Sequence, residues 1–291
     1  MKRIDNVGPS HTKRMWVLRA RLFRGLAKIM GTSVSQFSDE RLGILQYKTA
    51  EESGEALFTR SILPRLLNNI DVPVFFNVGL NEGDFTHGIL ECFSNARIFG
   101  FEPNPEVAAR TRNRYKGDSR VSVFEFAVSD TAGTVNLFDY GDAAGTGHAS
   151  LYLEVLTLQH KAKSTKSFKV QCVTIDQFSE QHDLRGIDFI KIDTEGHELA
   201  VLRGASNLIA RNAIGCIQFE FNEMNVVSRS FLKDIYNILK DYKFFRLRRD
   251  GLISLGDYNT RNEIFKFQNI VAIRPDSVPL IQEFIIRNPW K

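Results

Sequence analysis

The chain has 291 residues, 43% of them hydrophobic and 25% charged, which is enough apolar mass for a buried core and too little charge for a disordered polymer. No run approaches the ~18–20 continuous apolar residues of a membrane span, and basic residues interrupt the apolar positions of the amino terminus, so no secretory signal is read and the cytoplasm is expected. The net charge of +4 is uneven: residues 1–38 hold eight Lys and Arg against Asp5 alone, leaving the remainder net acidic and giving no sign of a nucleic-acid surface on the main domain.

In chain order, the apolar residues Met15, Leu18, Leu22, Leu26 and Ile29 recur at helical spacing, with Arg14, Arg21, Arg24 and Lys28 on much of the remaining wheel. They predict a basic amphipathic helix over about 13–30. Such a helix packs on its own domain or on a second subunit, the commoner outcome. Alternatively it lies on an anionic membrane, with Trp16 and Phe23 at the boundary. A second helix is predicted from Glu51 to Asn69, bent or broken at Pro64. Residues 1–70 thus read as an N-terminal helical arm and 71–291 as the main domain. Nothing in the sequence sets the oligomeric state.

The main domain alternates strand and helix. Strands are predicted at Val74–Val78, Arg97–Phe101, Val121–Phe126, Phe189–Ile192 and Ile214–Phe221, and helices at Phe85–Phe93, Pro105–Tyr115, Glu198–Ala210 and Ser230–Asp241. Short apolar strands between helices imply an α/β fold with a parallel sheet covered on both faces. Residues 131–185, with Gly133, Gly141, Gly145 and Gly147, break the rhythm and read as an inserted hairpin and loop. Tail strands are expected near Phe244–Leu247 and Lys266–Ile273, then a short helix around Val278–Ile286. Cys92, Cys172 and Cys216 are odd in number and form no CxxC pair, so they read as reduced, buried thiols.

The segment Val74 to Thr86, VFFNVGLNEGDFT, runs a buried strand into Gly79 and Gly83 before a helix begins. Glycine lets the backbone turn tightly and approach a ligand with no Cβ in the way. The next strand ends in GFEPNP, which puts Glu102 at a carboxyl end, where an acid accepts hydrogen bonds from both ribose hydroxyls of a nucleoside. A dinucleotide fingerprint would place glycines where Asn81 and Asp84 stand, and Asp84 would repel phosphate. An acidic turn suits S-adenosylmethionine, which carries no phosphate and has a positive sulfonium and amino group. A turn of this type that binds nothing is the bland alternative.

A second cluster lies in DFIKIDTEGHELAVLRGA, Asp188 to Ala205: Asp193 at a strand end, then Thr194, Glu195, Gly196, His197 and Glu198 in the turn. Carboxylates and an imidazole crowded at the mouth of a sheet shift one another's pKa and serve proton transfer. Glu220, ending the fifth strand, is expected beside Asp193.

Together, N-V-G-L-N-E-G-D-F-T, F-E-P-N-P, A-V-S-D, K-I-D-T-E-G-H-E and V-L-R-G-A resemble the FkbM-type methyltransferase family over about residues 72–222, in order and spacing. The resemblance implies a Rossmann-like class I methyltransferase sheet flanked by helices, S-adenosylmethionine as donor, and an oxygen acceptor on a sugar, polyketide or similar metabolite. It implies that Gly79, Asn81 and Gly83 line the methionine end of the cofactor, Glu102 holds the ribose and Ala127 and Val128 border the adenine. Asp193, Glu195 and His197 would face the methyl group and the acceptor. Two residues depart from the family pattern: Asn77 stands where an acid is common, and Leu80 where a small residue is common. Asn77 can still hydrogen-bond the cofactor's amino group or the loop amides, without charge.

A hydroxyl acceptor must lose a proton. His197 is the first candidate base, its pKa expected to be raised by neighbouring carboxylates; the alternative is an imidazole that caps or orients the loop. Asp193, Glu220 and Asn222 could instead offer oxygens to a divalent ion, but no metal is expected as a cofactor. Gly145, Thr146, Gly147, His148 and Ser150 form either a lid over the acceptor or a plain surface hairpin. His11, His87, His160 and His182 read as ordinary surface or packed residues. The leading function is O-methylation of a glycan or small metabolite. N- or C-methylation on the same cofactor, and a non-catalytic cofactor-binding or membrane-docking protein, are the alternatives.

Overall fold

Nine strands form one sheet in the computed structural model, which describes residues 10–31, 33–141 and 147–286. In chain order the strands are β1 (Val74–Val78), β2 (Arg97–Phe101), β3 (Val121–Phe124), β4 (Ala127–Val128), β5 (Gly133–Tyr140) and β6 (Thr165–Val173). Then follow β7 (Ile187–Ile192), β8 (Ile214–Phe221), β9 (Lys243–Arg248), β10 (Gly251–Ser254), β11 (Gln268–Ile273) and β12 (Ile285–Ile286). The large sheet has the order β12-β10-β9-β11-β8-β7-β1-β2-β3, while β4, β6 and β5 make a separate three-stranded sheet. Strands β3, β2, β1, β7 and β8 are parallel; β11 is antiparallel to both β8 and β9.

The central strands are apolar on both sides because both sheet faces are covered. Phe76 stands opposite Phe99 and Ile190 in register, and it joins Phe101, Phe178, Ile192 and Phe219 in one core. Its neighbour Phe75 points the other way, as the period of two requires, into a second core with Phe58, Ile62, Leu63 and Phe189. Full burial of such a side chain contributes ~1.5–3 kcal/mol. Residues 44–67 are therefore part of the core rather than of a detached arm, since Ile44, Phe58, Ile62, Leu63 and Leu67 are all buried.

The second predicted helix forms in pieces: Ala50–Ser53, Glu55–Leu57, a wide turn at Phe58–Ile62, and Leu63–Leu66. Gly54, at φ 85°, makes the first break, and the Leu63 N–H reaches back five residues to the Phe58 carbonyl. Pro64 lies in the first turn of the last piece, where no N–H donor is needed. The helix predicted over 198–210 is likewise divided, into Glu198–Arg203 and Ser206–Ala210. Between them Gly204 lies so close to the Ser129 carbonyl that a Cβ would collide with it. The helix predicted over 230–241 is shorter, Leu232–Ile238, and β10 and the helix Ile175–Gln181 were not anticipated.

The basic helix spans Ser10–Met30. Packing on its own domain is not what the structure shows: Leu18 is 68% exposed, Leu22 64% and Ile29 84%. The adjoining helix, Val34–Arg41, has no buried residue and leaves its own Val34 and Phe37 exposed, so it does not cover them. Among the described residues no helix is long and apolar enough to cross a membrane.

Candidate active site

Strand order reverses between β1 and β7: from β1 the chain proceeds to β2 and β3 on one side, while β7 and β8 lie on the other. The turns leaving these two strands must part there, and the crevice they open is where α/β sheets bind ligands. At Gly79, φ is 84° and the N–H donates to the Phe101 carbonyl at 3.0 Å; a Cβ would run into the Asp193 carbonyl. The Asp193 N–H in turn donates to the Val78 carbonyl at 2.9 Å. The two turns thus touch backbone to backbone, which only glycine permits at position 79.

One cavity opens over these turns. Gly79, Asn81, Glu102, Ala127, Val128, Asp193, Glu195 and His197 all line it, with Phe126, Leu137 and Leu151 as apolar wall and Gly147 at its cover. Glu102 is buried, its Oε2 accepting from the Asn81 N–H and its Oε1 from the Asn104 N–H, both at 2.9 Å. Burial outweighs those bonds and pushes the carboxyl up to about 7.

Two predicted residues, Asn77 and Gly83, do not line this cavity. Asn77 is buried beneath the loop, its Nδ2 donating to Thr86 Oγ1 at 3.1 Å, and Gly83 starts the helix Asp84–Cys92 with its carbonyl accepting from Tyr115 Oη at 2.6 Å. Both face an adjoining groove with Glu55, Lys191 and Glu220, which shares Gly79, Asn81 and Asp193 with the cavity. Leu80 is accommodated by Gly100, whose missing Cβ leaves space for its methyl groups.

The 193–198 turn divides its charges among separate tasks. Glu198 Oε1 accepts from Thr194 N, Thr194 Oγ1 and Gly196 N, each at 3.1 Å, and its Oε2 accepts from Asn225 Nδ2 at 3.0 Å. Burial still pushes it up to about 7. Glu195, in a left-handed conformation at φ 52°, turns toward His148 and His160, with His148 Nδ1 3.1 Å from Oε1 and His160 Nε2 3.8 Å from Oε2. Burial opposes this carboxylate, but the two imidazoles outweigh it and hold its pKa below the usual value.

His197 does not behave as expected. Burial pushes its pKa down to about 4, because Glu195 and Glu198 are turned to other partners and cannot support an imidazolium. Both ring nitrogens are engaged, Nδ1 with Tyr152 Oη at 2.9 Å and Nε2 with Ser129 Oγ at 2.8 Å. His160 is also not an ordinary packed residue, since it shares Glu195 with His148. His182 stacks on Phe178 at 4.0 Å and His87 lies 3.7 Å from Glu91 at the surface. The side chain of His11, and Gly145 and Thr146, lie outside the described residues.

Asp193, Glu220 and Asn222 do not form an ion cage. The cation there is Lys191, whose Nζ lies 3.0 Å from Asp193 Oδ2 and 3.2 Å from Glu55 Oε1. Burial works against that ammonium, but the carboxylates of Glu55, Asp193 and Glu220 hold it charged. Asn222 donates to Glu220 at 3.3 Å and uses its carbonyl on the Met224 N–H. A lysine inside the apolar run F-I-K-I was a visible signal for this pair; Tyr152, Ser129 and Glu55 had none.

The residues present fit S-adenosylmethionine. A buried acid suits the hydroxyls of a ribose, the apolar residues 126–128 and Leu137 suit an adenine, and a glycine cradle leads to an acidic end suited to a sulfonium. Fold and site together define a class I S-adenosylmethionine-dependent methyltransferase. The chain belongs to the FkbM methyltransferase family: the model of the methyltransferase FkbM domain matches residues 77–245. It is 29% identical over 188 residues to the hexuronic acid methyltransferase AglP of Haloferax volcanii, covering 63% of this chain and 70% of that one. It is 24% identical over 161 residues to the 2-O-methyltransferase NoeI of Sinorhizobium fredii, covering 52% and 65%. The chain thus spans about two thirds of the length of these curated relatives. A solved precorrin-6y C5,15-methyltransferase from Geobacter metallireducens is 12% identical, with a TM-score of 0.38 over 74% of this chain and 87% of that one.

Proposed function

We propose that this protein transfers a methyl group from S-adenosylmethionine to a hydroxyl of a glycan or small metabolite. The observation that carries the reading is a single cavity running from Glu102 and the 126–128 wall to the polar end at Asp193, Glu195 and His197. The names of the two curated relatives, one acting on a hexuronic acid and one a 2-O-methyltransferase, favour a sugar hydroxyl.

When bound, S-adenosylmethionine supplies a methyl group on a positively charged sulfur, so the protein's task is largely orientation. Glu102 would accept hydrogen bonds from the ribose, Ala127 and Val128 would border the adenine, and Gly79 and Asn81 would leave room for the methionine end. Asp193, held by Lys191, would face the methyl group and the acceptor. Proton removal falls to the Glu195 end. His197 is a positioning residue, because its ring fastens Tyr152 and Ser129 to the turn through both nitrogens.

A labelled-methyl assay against uronic acids, hexose glycosides and primary amines tests this. Label on a hydroxyl, abolished in Glu102→Ala, is expected. Label on the amines alone would replace O-methylation with N-methylation, and no S-adenosylmethionine binding by calorimetry would remove the enzyme reading altogether.

The helix Ser10–Met30 supports a second element of the reading, contact with an anionic membrane. Met15, Leu18, Leu22, Leu26 and Ile29 are exposed along one stripe, and Arg21, Arg24 and Lys28 lie opposite.

A further inference from the structure

Three side chains beside the polar end of the cavity come from three separate parts of the chain. His148 lies in the cover at 147–151, His160 follows the helical turn Val155–Gln159, and Glu195 belongs to the turn after β7. One donor atom from each lies within 4.8 Å of the other two. His148 Nδ1 is 3.1 Å from Glu195 Oε1, and His160 Nε2 is 3.8 Å from Glu195 Oε2. The two imidazole rings are 5.1 Å apart. Among the described residues His160 Nε2 is buried without a hydrogen-bond partner, and it is aimed at the carboxylate.

We propose that His148, His160 and Glu195 bind one divalent transition-metal ion beside the polar end of the cavity, which Glu195 lines. Ligand bonds of ~2.0–2.2 Å place donor atoms roughly 3–3.5 Å apart. The His148–Glu195 Oε1 separation of 3.1 Å falls in that range, and the His160–Glu195 Oε2 separation of 3.8 Å needs a small side-chain shift to reach it. Two imidazoles and one carboxylate suit ions from manganese to zinc, whereas magnesium and calcium prefer an all-oxygen set. Three protein ligands leave coordination positions open, the arrangement of a reactive rather than a purely structural site.

The ion deepens the reading of O-methyl transfer and rests on it. A hydroxyl coordinated there becomes acidic enough to lose its proton to water. The oxygen then bonds to the methyl carbon, and the carbon–sulfur bond breaks with its electron pair going to sulfur, which ends as a neutral thioether. No imidazole needs to act as the base, which agrees with the engagement of both nitrogens of His197.

Calorimetric titration of the chelator-treated full chain with Mn²⁺ or Zn²⁺ tests the site. One equivalent is expected to bind, at least tenfold more weakly in His160→Ala and in Glu195→Gln, with little binding of Mg²⁺. His160 does not line the cofactor cavity, so His160→Ala should keep its affinity for S-adenosylmethionine, which also shows that the variant is folded. Turnover should fall at least tenfold on chelation and return with the metal. Absence of saturable metal binding by the wild-type protein, or unchanged binding in both variants, overturns the site. Metal binding with turnover indifferent to chelation overturns its part in catalysis. Binding of S-adenosylmethionine is measured separately, so failure of the methyltransferase reading is distinguishable from failure of the metal site.

Discussion

Glu102 carries the conflict between stability and binding most clearly. Its carboxylate is needed as an acceptor, yet burial favours the neutral form up to about pH 7. As pH falls from 8 to 6 the group takes up a proton, so affinity for S-adenosylmethionine should weaken, with the steepest change near pH 7. Glu102→Gln removes a charge-assisted bond of ~1.5–3 kcal/mol, so affinity should drop roughly 10- to 100-fold and lose most of its pH dependence. A steep pH dependence persisting in this variant would assign the titration to another group. Gly79 tests the geometry instead. Alanine at φ 84° costs ~1–2 kcal/mol for the left-handed backbone, and its Cβ must displace the Asp193 turn. Gly79→Ala should abolish measurable cofactor binding; an unchanged dissociation constant would show that the contact between the two turns is dispensable.

At the scale of elements, the insertion and the amino-terminal helix differ in how they are held. The β5–β6 hairpin is tied to the site: Ser150 Oγ donates to the Glu195 carbonyl at 3.1 Å, and Tyr152 bonds His197. The helix Ser10–Met30 exposes its apolar stripe instead. Deleting residues 10–30 should abolish binding to vesicles containing phosphatidylserine and leave turnover on a water-soluble acceptor unchanged. Binding by the full chain should weaken at high salt, as screening requires. Equal binding of the intact and deleted chains would exclude the helix as the anchor. Helical periodicity made this stripe legible in the sequence, but no pattern within the segment could say whether another surface covers it. The need for glycine at 204 was hidden for a similar reason, because the Ser129 carbonyl that leaves no room for a Cβ lies on a distant segment.

For the whole molecule, the buried acids set the direction of stability with pH. Glu102 and Glu198, both raised to about 7, ionise less readily in the folded chain than in the unfolded one. Their stabilising contribution is full below the unfolded carboxyl value and is lost as pH rises through about 7. His197, lowered to about 4, acts in the opposite sense, but only between about 4 and 6.5. Between pH 6.5 and 8 the cofactor-free protein should therefore lose about 1–2 kcal/mol, read as a fall of a few degrees in Tm. A Tm that rises across that interval would contradict the burial of these two carboxylates.

The sequence by itself determined the alternation of strand and helix, the glycine turn, the acid at the end of the second strand and the cluster after the fourth. These depend on local pattern: period, backbone freedom at glycine, and side-chain type at a strand end. The tertiary structure alone decided how those groups are paired. It set Asn77 and Gly83 on a groove adjoining the cavity, placed Lys191 against Asp193 and Glu55, and closed His197 between Tyr152 and Ser129. It also brought His160 from the middle of the insertion to Glu195. Such pairings depend on which distant segments desolvate a group and which supply its partners, and both are properties of the folded chain.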